Sequence, residues 1–241
     1  MTHNAKPDNR SVPLFIPFVN RPDLLERAVL SVRDCLLVDP LVIDNSGRDP
    51  LTSDQDLPAC CRTILIPPVP LTFSQTQNWM LGLARHRERP FYLFMHSDAE
   101  ASAEVVERLV SRARELTAAG DRWAVLYTCY DALAAFSTAA FTAVGGWDTN
   151  LSWYKSDCDI YRRLRLAGYS LIDTGLPVHH TPSQTLNSDP RIHWLVDLEG
   201  EFRLRYYVEK WGADAGAERF ERPFDGKWDQ PGTYFRKDSE R

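Results

Sequence analysis

Three short stretches carry side chains able to do chemistry. The first, His96-Ser97-Asp98, follows the apolar run Phe91 to Met95. A carboxylate at the end of a buried strand can hold a hard divalent cation, and such a cation binds a diphosphate. Asp98 can equally cap a helix beginning near Ala101, an ordinary task for aspartate. The second stretch is Val144-Gly145-Gly146-Trp147-Asp148, followed by Ser156-Asp157-Cys158-Asp159 and Arg162-Arg163. Its paired glycines allow a tight turn and close backbone approach. A carboxylate working near neutral pH can take a proton from an attacking hydroxyl. A solvated helix start, where acidic side chains complement the dipole, explains the same pattern. The third stretch is Val178-His179-His180. A neutral imidazole can complete a metal site, although histidines in a loop are more often simply solvated. Neighbours on an extended segment point to opposite faces, so only one of the pair can face a given site. Spacing from Gly168 favours His180.

These residues need a frame, and the hydrophobic pattern supplies one. Apolar strand-like runs at Val12–Pro17, Leu41–Ile43, Thr63–Ile66, Phe91–Met95 and Trp123–Thr128 alternate with helical patterns. One helix opens at Pro22-Asp23, with Leu24, Leu25, Ala28, Val29 and Val32 at helical spacing and proline in its first turn. Others are expected over Ser74–Ala84 and Ala103–Leu116. Asp44-Asn45-Ser46-Gly47 is loop chemistry that stops the second strand. This alternation predicts an α/β fold: a Rossmann-like, mostly parallel sheet with helices on both faces. In such sheets ligands bind at the carboxyl ends of the strands, which brings the polar residues after Ile43 and Met95 to one edge. From Phe136 to His180 the pattern is less regular. A last helix is expected over Pro190–Trp211, with Ile192, Leu195, Val196, Phe202 and Tyr206 as its apolar stripe. Trp228 and Tyr234 are candidate anchors in a charged tail.

Composition narrows the function classes. Apolar residues make up 44% of 241, enough for one generous α/β core. A net charge of -5 argues against nonspecific nucleic-acid binding, which needs a basic field. Five cysteines, Cys35, Cys60, Cys61, Cys129 and Cys158, are an odd set without a C-x-x-C and read as reduced thiols. No 18-residue apolar run is present, so no integral membrane segment is expected. The polar N-terminus reads as a disordered leader over residues 1–11 rather than a secretory signal.

Taken in order, the pieces resemble glycosyltransferase family 2, whose catalytic domain has the GT-A fold. The similarity covers roughly Val12 to Pro182, leaving 183–241 as a C-terminal helical extension and tail. Ile16-Pro17-Phe18-Val19-Asn20-Arg21-Pro22 looks like the family's first strand and nucleotide-facing loop. Val42-Ile43-Asp44-Asn45-Ser46 looks like its second strand. Gln77-Asn78, with Gly82 and Ala84, is similar to the helix after its donor loop. His96-Ser97-Asp98 sits where the family has D-x-D, and Gly145-Gly146-Trp147-Asp148 matches G-G-[FW]-D. Ser156-Asp157-Cys158-Asp159, with Arg163 and Gly168-Tyr169 downstream, matches E-D-x-D. Tyr207-Lys210-Trp211-Gly212 and Pro223-Phe224 resemble a C-terminal extension seen in some members. Two departures stand out: His96 replaces the first aspartate of D-x-D, and Ser156 replaces the glutamate of E-D.

The resemblance implies an inverting transfer of a sugar from a UDP- or GDP-type donor, dependent on Mn2+ or Mg2+. The acceptor would be a glycan, a lipid-linked or a small-molecule hydroxyl compound. Asp98 with His180 or His179 would hold the metal, and Asp157 would be the general base. Pro17, Asn20, Arg21, Asp44, Asn78, His96 and Ser97 would join Asp98 in binding the donor, with Asp44 on the base. Gly146, Trp147, Asp148 and Trp153 would meet the acceptor, or Asp148 would brace its loop. Tyr154 is a further aromatic able to stack on a sugar. The implied location is cytoplasmic, with a peripheral seat at a membrane surface as a variant. Two rival readings stand beside this one. One is an inactive binding or scaffold protein of the same fold, motivated by His96 and Ser156. The other is a sugar nucleotidyltransferase, against which the glycine-free loop Pro17–Arg21 speaks.

Overall fold

The structure, a computed structural model, describes residues 11–47, 51, 61 and 63–225. Cys60, the candidate anchors Trp228 and Tyr234, and all of the expected leader but Ser11 lie outside the described residues. The chain begins with β1 (Val12–Phe18), α1 (Pro22–Ser31), β2 (Val38–Asp44), β3 (Thr63–Leu65), α2 (Phe73–His86) and β4 (Phe91–Met95). A two-residue β5 (Ala99–Glu100), α3 (Ala103–Ala119) and β6 (Trp123–Tyr127) follow. The stretch with the weakest periodicity forms β7 (Leu133–Ser137), α4 (Thr138–Ala143), α5 (Ser156–Leu166), β8 (Ser170–Asp173) and β9 (His179–His180). The chain then forms α6 (Gln184–Ser188) and α7 (Pro190–Trp211).

Seven strands make one sheet in the order β3-β2-β1-β4-β7-β6-β8. All pairings are parallel except those of β7, which runs antiparallel to both β4 and β6. Every residue of β4 is buried, as expected for a central strand covered on both faces. Alternation along the strands splits the core in two. Leu14, Ile16, Val42, Leu93 and Met95 pack on the side of α1 and α3. Phe15, Leu41, Ile43, Tyr92 and Phe94 pack on the side of α2, α4 and α5. The helix starts have local causes. Thr72 and Gln75 form a capping box on α2, and Ser102 caps α3.

The loop before α5 and the end of α7 meet at a buried charged node. Lys210 Nζ lies 2.6 Å from Asp148 Oδ2 and 2.7 Å from Asp159 Oδ1. Asp159 is 0% exposed and also receives Trp211 Nε1 at 2.9 Å and Arg163 Nε at 2.9 Å. Arg163 continues to the Val144 carbonyl, at the start of the double-glycine turn. The apolar stripe expected on α7 packs only in part: Val196 is buried and Tyr206 lies against the cluster of Leu151, Tyr207 and Trp211. Leu195 and Phe202 are exposed, while Arg203, Tyr207, Lys210 and Trp211 are buried. Buried carboxylates on the partner elements drew the polar side chains inward, which hydrophobic periodicity alone cannot register. Replacing Lys210 by methionine leaves Asp159 with Arg163 as its one remaining cation among the described residues. It should lower the unfolding free energy by about 3–5 kcal/mol in urea titrations. A loss below about 1 kcal/mol would show that the node does not hold α7 in place.

Candidate active site

Two cavities open at the carboxyl ends of the central strands, where ligands of open α/β sheets bind. The outer one, about 860 Å³, lies against Phe18 at the end of β1, Asn20 and Arg21 after it, and Asn45, Ser46 and Gly47 after β2. The inner one, about 350 Å³, is lined by Pro17, His96, Ser97, Asp98, Asp131, Asp157 and His180. Val19, Trp153 and Ile192 line both, so the two adjoin.

The inner cavity gathers its polar groups from distant segments. After β4 the chain turns, with Ala99 N–H bonding back to the His96 carbonyl at 3.1 Å. The pairing of β5 with β9 sets Ala99 opposite His180, and Thr181 N–H donates to the Asp98 carbonyl. His180 Nε2 thus lies 3.3 Å from Asp98 Oδ1, and His96 Nδ1 lies 3.8 Å from the same oxygen. One ligand atom from each of the three residues falls within 4.8 Å of the others. His179 takes the opposite face of β9: it is exposed and stands opposite Glu100.

The electrostatics of this trio suit a cation. Burial pushes the His96 imidazole down to about 4, so at neutral pH it keeps a free lone pair. Burial works to raise the Asp98 carboxyl, but the contact with His180 and the fields of both imidazoles hold it below the usual range. Neither ring nitrogen of His180 has a hydrogen-bond partner among the described residues, although both are buried. Separations of 3.3 and 3.8 Å are of the order that two ligands of one ion take, about 3–4 Å for bonds near 2 Å. The residues present therefore fit a divalent metal.

Asp157 reaches the inner cavity from the first turn of α5. The turn enters through Lys155 in a left-handed conformation, with Ser156 Oγ donating to the Trp153 carbonyl at 2.6 Å. Trp153 lines the cavity wall, and Tyr154 beside it is half exposed.

Other expected site residues line neither cavity. Asp44 is 2% exposed, and its two oxygens accept backbone N–H groups from Ser46 and Leu51. Asn78 accepts from Trp147 N–H and donates to the Trp147 carbonyl, both at 2.8 Å. That double bond needs Gly146 at φ +75°, where a Cβ would stand 2.5 Å from Asn78 Oδ1. Trp147 is buried among Phe73, Phe136, Phe141 and Tyr161 rather than open to a sugar. Asp148 accepts from Lys210, Tyr206 and Asn150. These groups brace the loops around the cavities. For Asp44, Asn78 and Asp148 the physical reason is common: each polar end already has its partners inside the fold.

The sequence reading missed Asp131. It lines the inner cavity from the β6–β7 turn, and Tyr161 Oη donates to its Oδ2 at 2.9 Å. The rule that singled out Asp98, a carboxylate just past an apolar strand, also fits Asp131. Burial pushes its carboxyl up to about 6, a rise that the Asp157 charge adds to and the Tyr161 bond opposes. The folded state therefore binds this proton more tightly than the unfolded chain. Stability is lost as pH rises from about 4 towards 6, and the penalty is complete above that. In metal-free protein Asp131→Asn should be stabilising at pH 7.5, by on the order of 1 kcal/mol, and close to neutral at pH 4. Thermal melts at both pH values check this; an equal shift at each would contradict it.

No family model matches the sequence, and no curated protein matches it. Solved structures do. A mannosyltransferase from Pyrobaculum calidifontis, in complex with GDP-Man and Mn2+, matches with a TM-score of 0.53 and 16% identity. The match covers 68% of this chain, which spans about half (54%) of that protein. Glucosyl-3-phosphoglycerate synthase from Mycobacterium tuberculosis, in complex with Mn2+ and UDP, matches with a TM-score of 0.52 and 14% identity, over 79% of each chain. A cytidylyltransferase from Leptospira borgpetersenii reaches 0.51 at 8% identity, over 80% of this chain and 94% of that one. The sheet order, its one antiparallel strand and these likenesses give the chain the GT-A fold.

Proposed function

We propose that the protein transfers a sugar from a nucleotide-diphosphate sugar of the UDP or GDP type to an acceptor hydroxyl, with inversion at the anomeric carbon. One observation carries the reading: Asp157 lines the same cavity as the His96, Asp98 and His180 trio. The adjoining outer cavity, with Asn20, Arg21 and Ser46 in its wall, is large enough for a nucleoside. Pro17, His96 and Ser97 then flank the diphosphate. Mn2+ and a nucleotide or nucleotide sugar in two solved neighbours support the same assignment.

Asp98 and His180, with His96 as a third ligand, would hold the divalent cation, which would supply charge neutralisation at the leaving diphosphate. Asp157 accepts the proton of the acceptor hydroxyl as its oxygen bonds to the anomeric carbon. The bond from that carbon to the diphosphate oxygen breaks, and its electron pair leaves with the nucleotide. Trp153 and Tyr154 offer ring faces to a sugar. A set of two imidazoles and one carboxylate favours Mn2+ over Mg2+, which prefers oxygen ligands. The cytidylyltransferase likeness keeps nucleotidyl transfer as a second reading, but the loop Val19-Asn20-Arg21 has no glycines to cradle a triphosphate.

Asp157→Asn should leave binding of UDP or GDP nearly unchanged and cut turnover by about 10²-fold or more. Unchanged turnover would remove Asp157 from the role of base. In a thermal-shift panel of nucleotides and nucleotide sugars, Mn2+ should stabilise the complex more than Mg2+. His180→Ala should abolish that gain while His179→Ala keeps it. Stabilisation by nucleoside triphosphates alone, with pyrophosphate released in turnover, would favour the nucleotidyltransferase reading.

A further inference from the structure

The inner cavity is acidic at its reacting end. Asp98, Asp131 and Asp157 all line it, and no lysine or arginine does so among the described residues. Arg21 lines the outer cavity and is paired there with Asp23 at 2.7 Å. With Asp98 turned to the cation, two carboxylates remain for whatever else enters.

Their placement is built by the fold. Asp157 and Tyr161 are four apart on α5, and so share one helix face. Tyr161 Oη anchors Asp131 Oδ2, while no hydrogen bond reaches Asp131 Oδ1 among the described residues. The backbone fixes the same turn: His96 N–H donates to the Ala132 carbonyl at 2.9 Å, and Thr128 Oγ1 bonds both the N–H and the carbonyl of Leu133. Asp131 therefore keeps one oxygen tied and one available, beside the residue that takes the acceptor proton. A carboxylate acceptor oxygen suits an O–H donor. It repels a phosphate or carboxylate, which would find no cationic side chain in this wall to offset the repulsion.

Resting on the transferase reading above, we propose that the acceptor is an uncharged polyol, a neutral sugar, with one hydroxyl on Asp157 and a neighbouring hydroxyl donating to Asp131. Asp131 then determines specificity: it binds this second hydroxyl and turns away anionic acceptors.

The test uses the full chain with Mn2+ and whichever of UDP and GDP stabilises it. Methyl β-glucoside and methyl β-mannoside are titrated by saturation-transfer NMR against methyl β-glucuronide and 3-phosphoglycerate. At least one neutral glycoside should bind tenfold or more tighter than both anions. Asp131→Asn should weaken that glycoside several-fold and shrink the gap to threefold or less. Tyr161→Phe, which keeps the charge but frees the anchor, should weaken the glycoside and preserve the gap. Anions binding as well as the glycosides, an unchanged gap in Asp131→Asn, or no glycoside binding while the nucleotide binds would overturn the inference and leave the transferase reading standing. Should Asp131→Asn not fold, the wild-type comparison still decides. Failure of UDP and GDP to bind with Mn2+ is a different result, and it removes the transferase reading itself.

Discussion

A buried ammonium group sets the geometry of the inner cavity. Residues two apart on an α-helix point about 200° away from each other. At the start of α5, Asp157 and Asp159 cannot both face the same cavity. Asp157 lines it, so Asp159 points into the protein and is fully buried. A buried carboxylate needs a cation and hydrogen bonds, and Lys210, Arg163 and Trp211 provide them. Lys210 also takes Asp148 from the double-glycine turn. One ammonium thus couples the helix that carries Asp157, the turn before it and the last helix of the described chain. The last helix in turn closes both cavities through Ile192.

The two cavities divide charge between them. Arg21 is placed outside, after β1, and its guanidinium reaches Gln184 and Ser188 of the α6 segment as well as Asp23. Apart from the Tyr154 phenol, the inner cavity has only carboxylates and imidazoles among its described ionisable side chains. A fourth carboxylate at position 96, where the resembling family has its first aspartate, would add to an already crowded negative charge. His96 is neutral there because of burial, so it can face a cation without that repulsion. The departure from D-x-D therefore has a physical rationale within this cavity: it exchanges a charged side chain for a neutral one with a ring nitrogen.

The parallel half of the fold was legible because its strands are apolar, contiguous and buried on both faces, and because the intervening helices have clear amphipathic spacing. β4, α3 and α7 occupy almost the residues that pattern indicates. The segment from β7 to β9 was not, for three reasons. β7 is a short, alanine-rich strand, α4 has six residues, and the pairing of β9 with β5 is non-local. The motif residues Asp98, Asp157 and His180 were legible by type and order. Asp131 meets the same strand-end rule, but its link to α5 runs through Tyr161 and across 30 positions, which no motif registers. Geometry also separates His180 from His179, a choice that sequence spacing could favour but not make.

The motif residues that line no cavity point to a general way of dividing frame from site. Asp44, Asn78 and Asp148 have their polar atoms partnered within the fold. Their bonds already compensate for burial, and a ligand would have to displace them. His180, which faces Asp98 at 3.3 Å without a hydrogen bond, and the second oxygen of Asp131 are the reverse case: cavity-lining polar atoms with no hydrogen-bond partner among the described residues. An orphaned atom is not enough by itself. The Gln77 amide and the Tyr92 hydroxyl are buried and unpartnered too, yet neither residue lines a cavity. The two conditions must coincide, because a ligand can complete only those groups it can reach. By that criterion the candidate surface of the inner cavity is smaller than the set of motif residues. It runs from His96 and Asp98 after β4 and His180 on β9 to Asp131 and Asp157, and the remaining motif carboxylates hold it in shape.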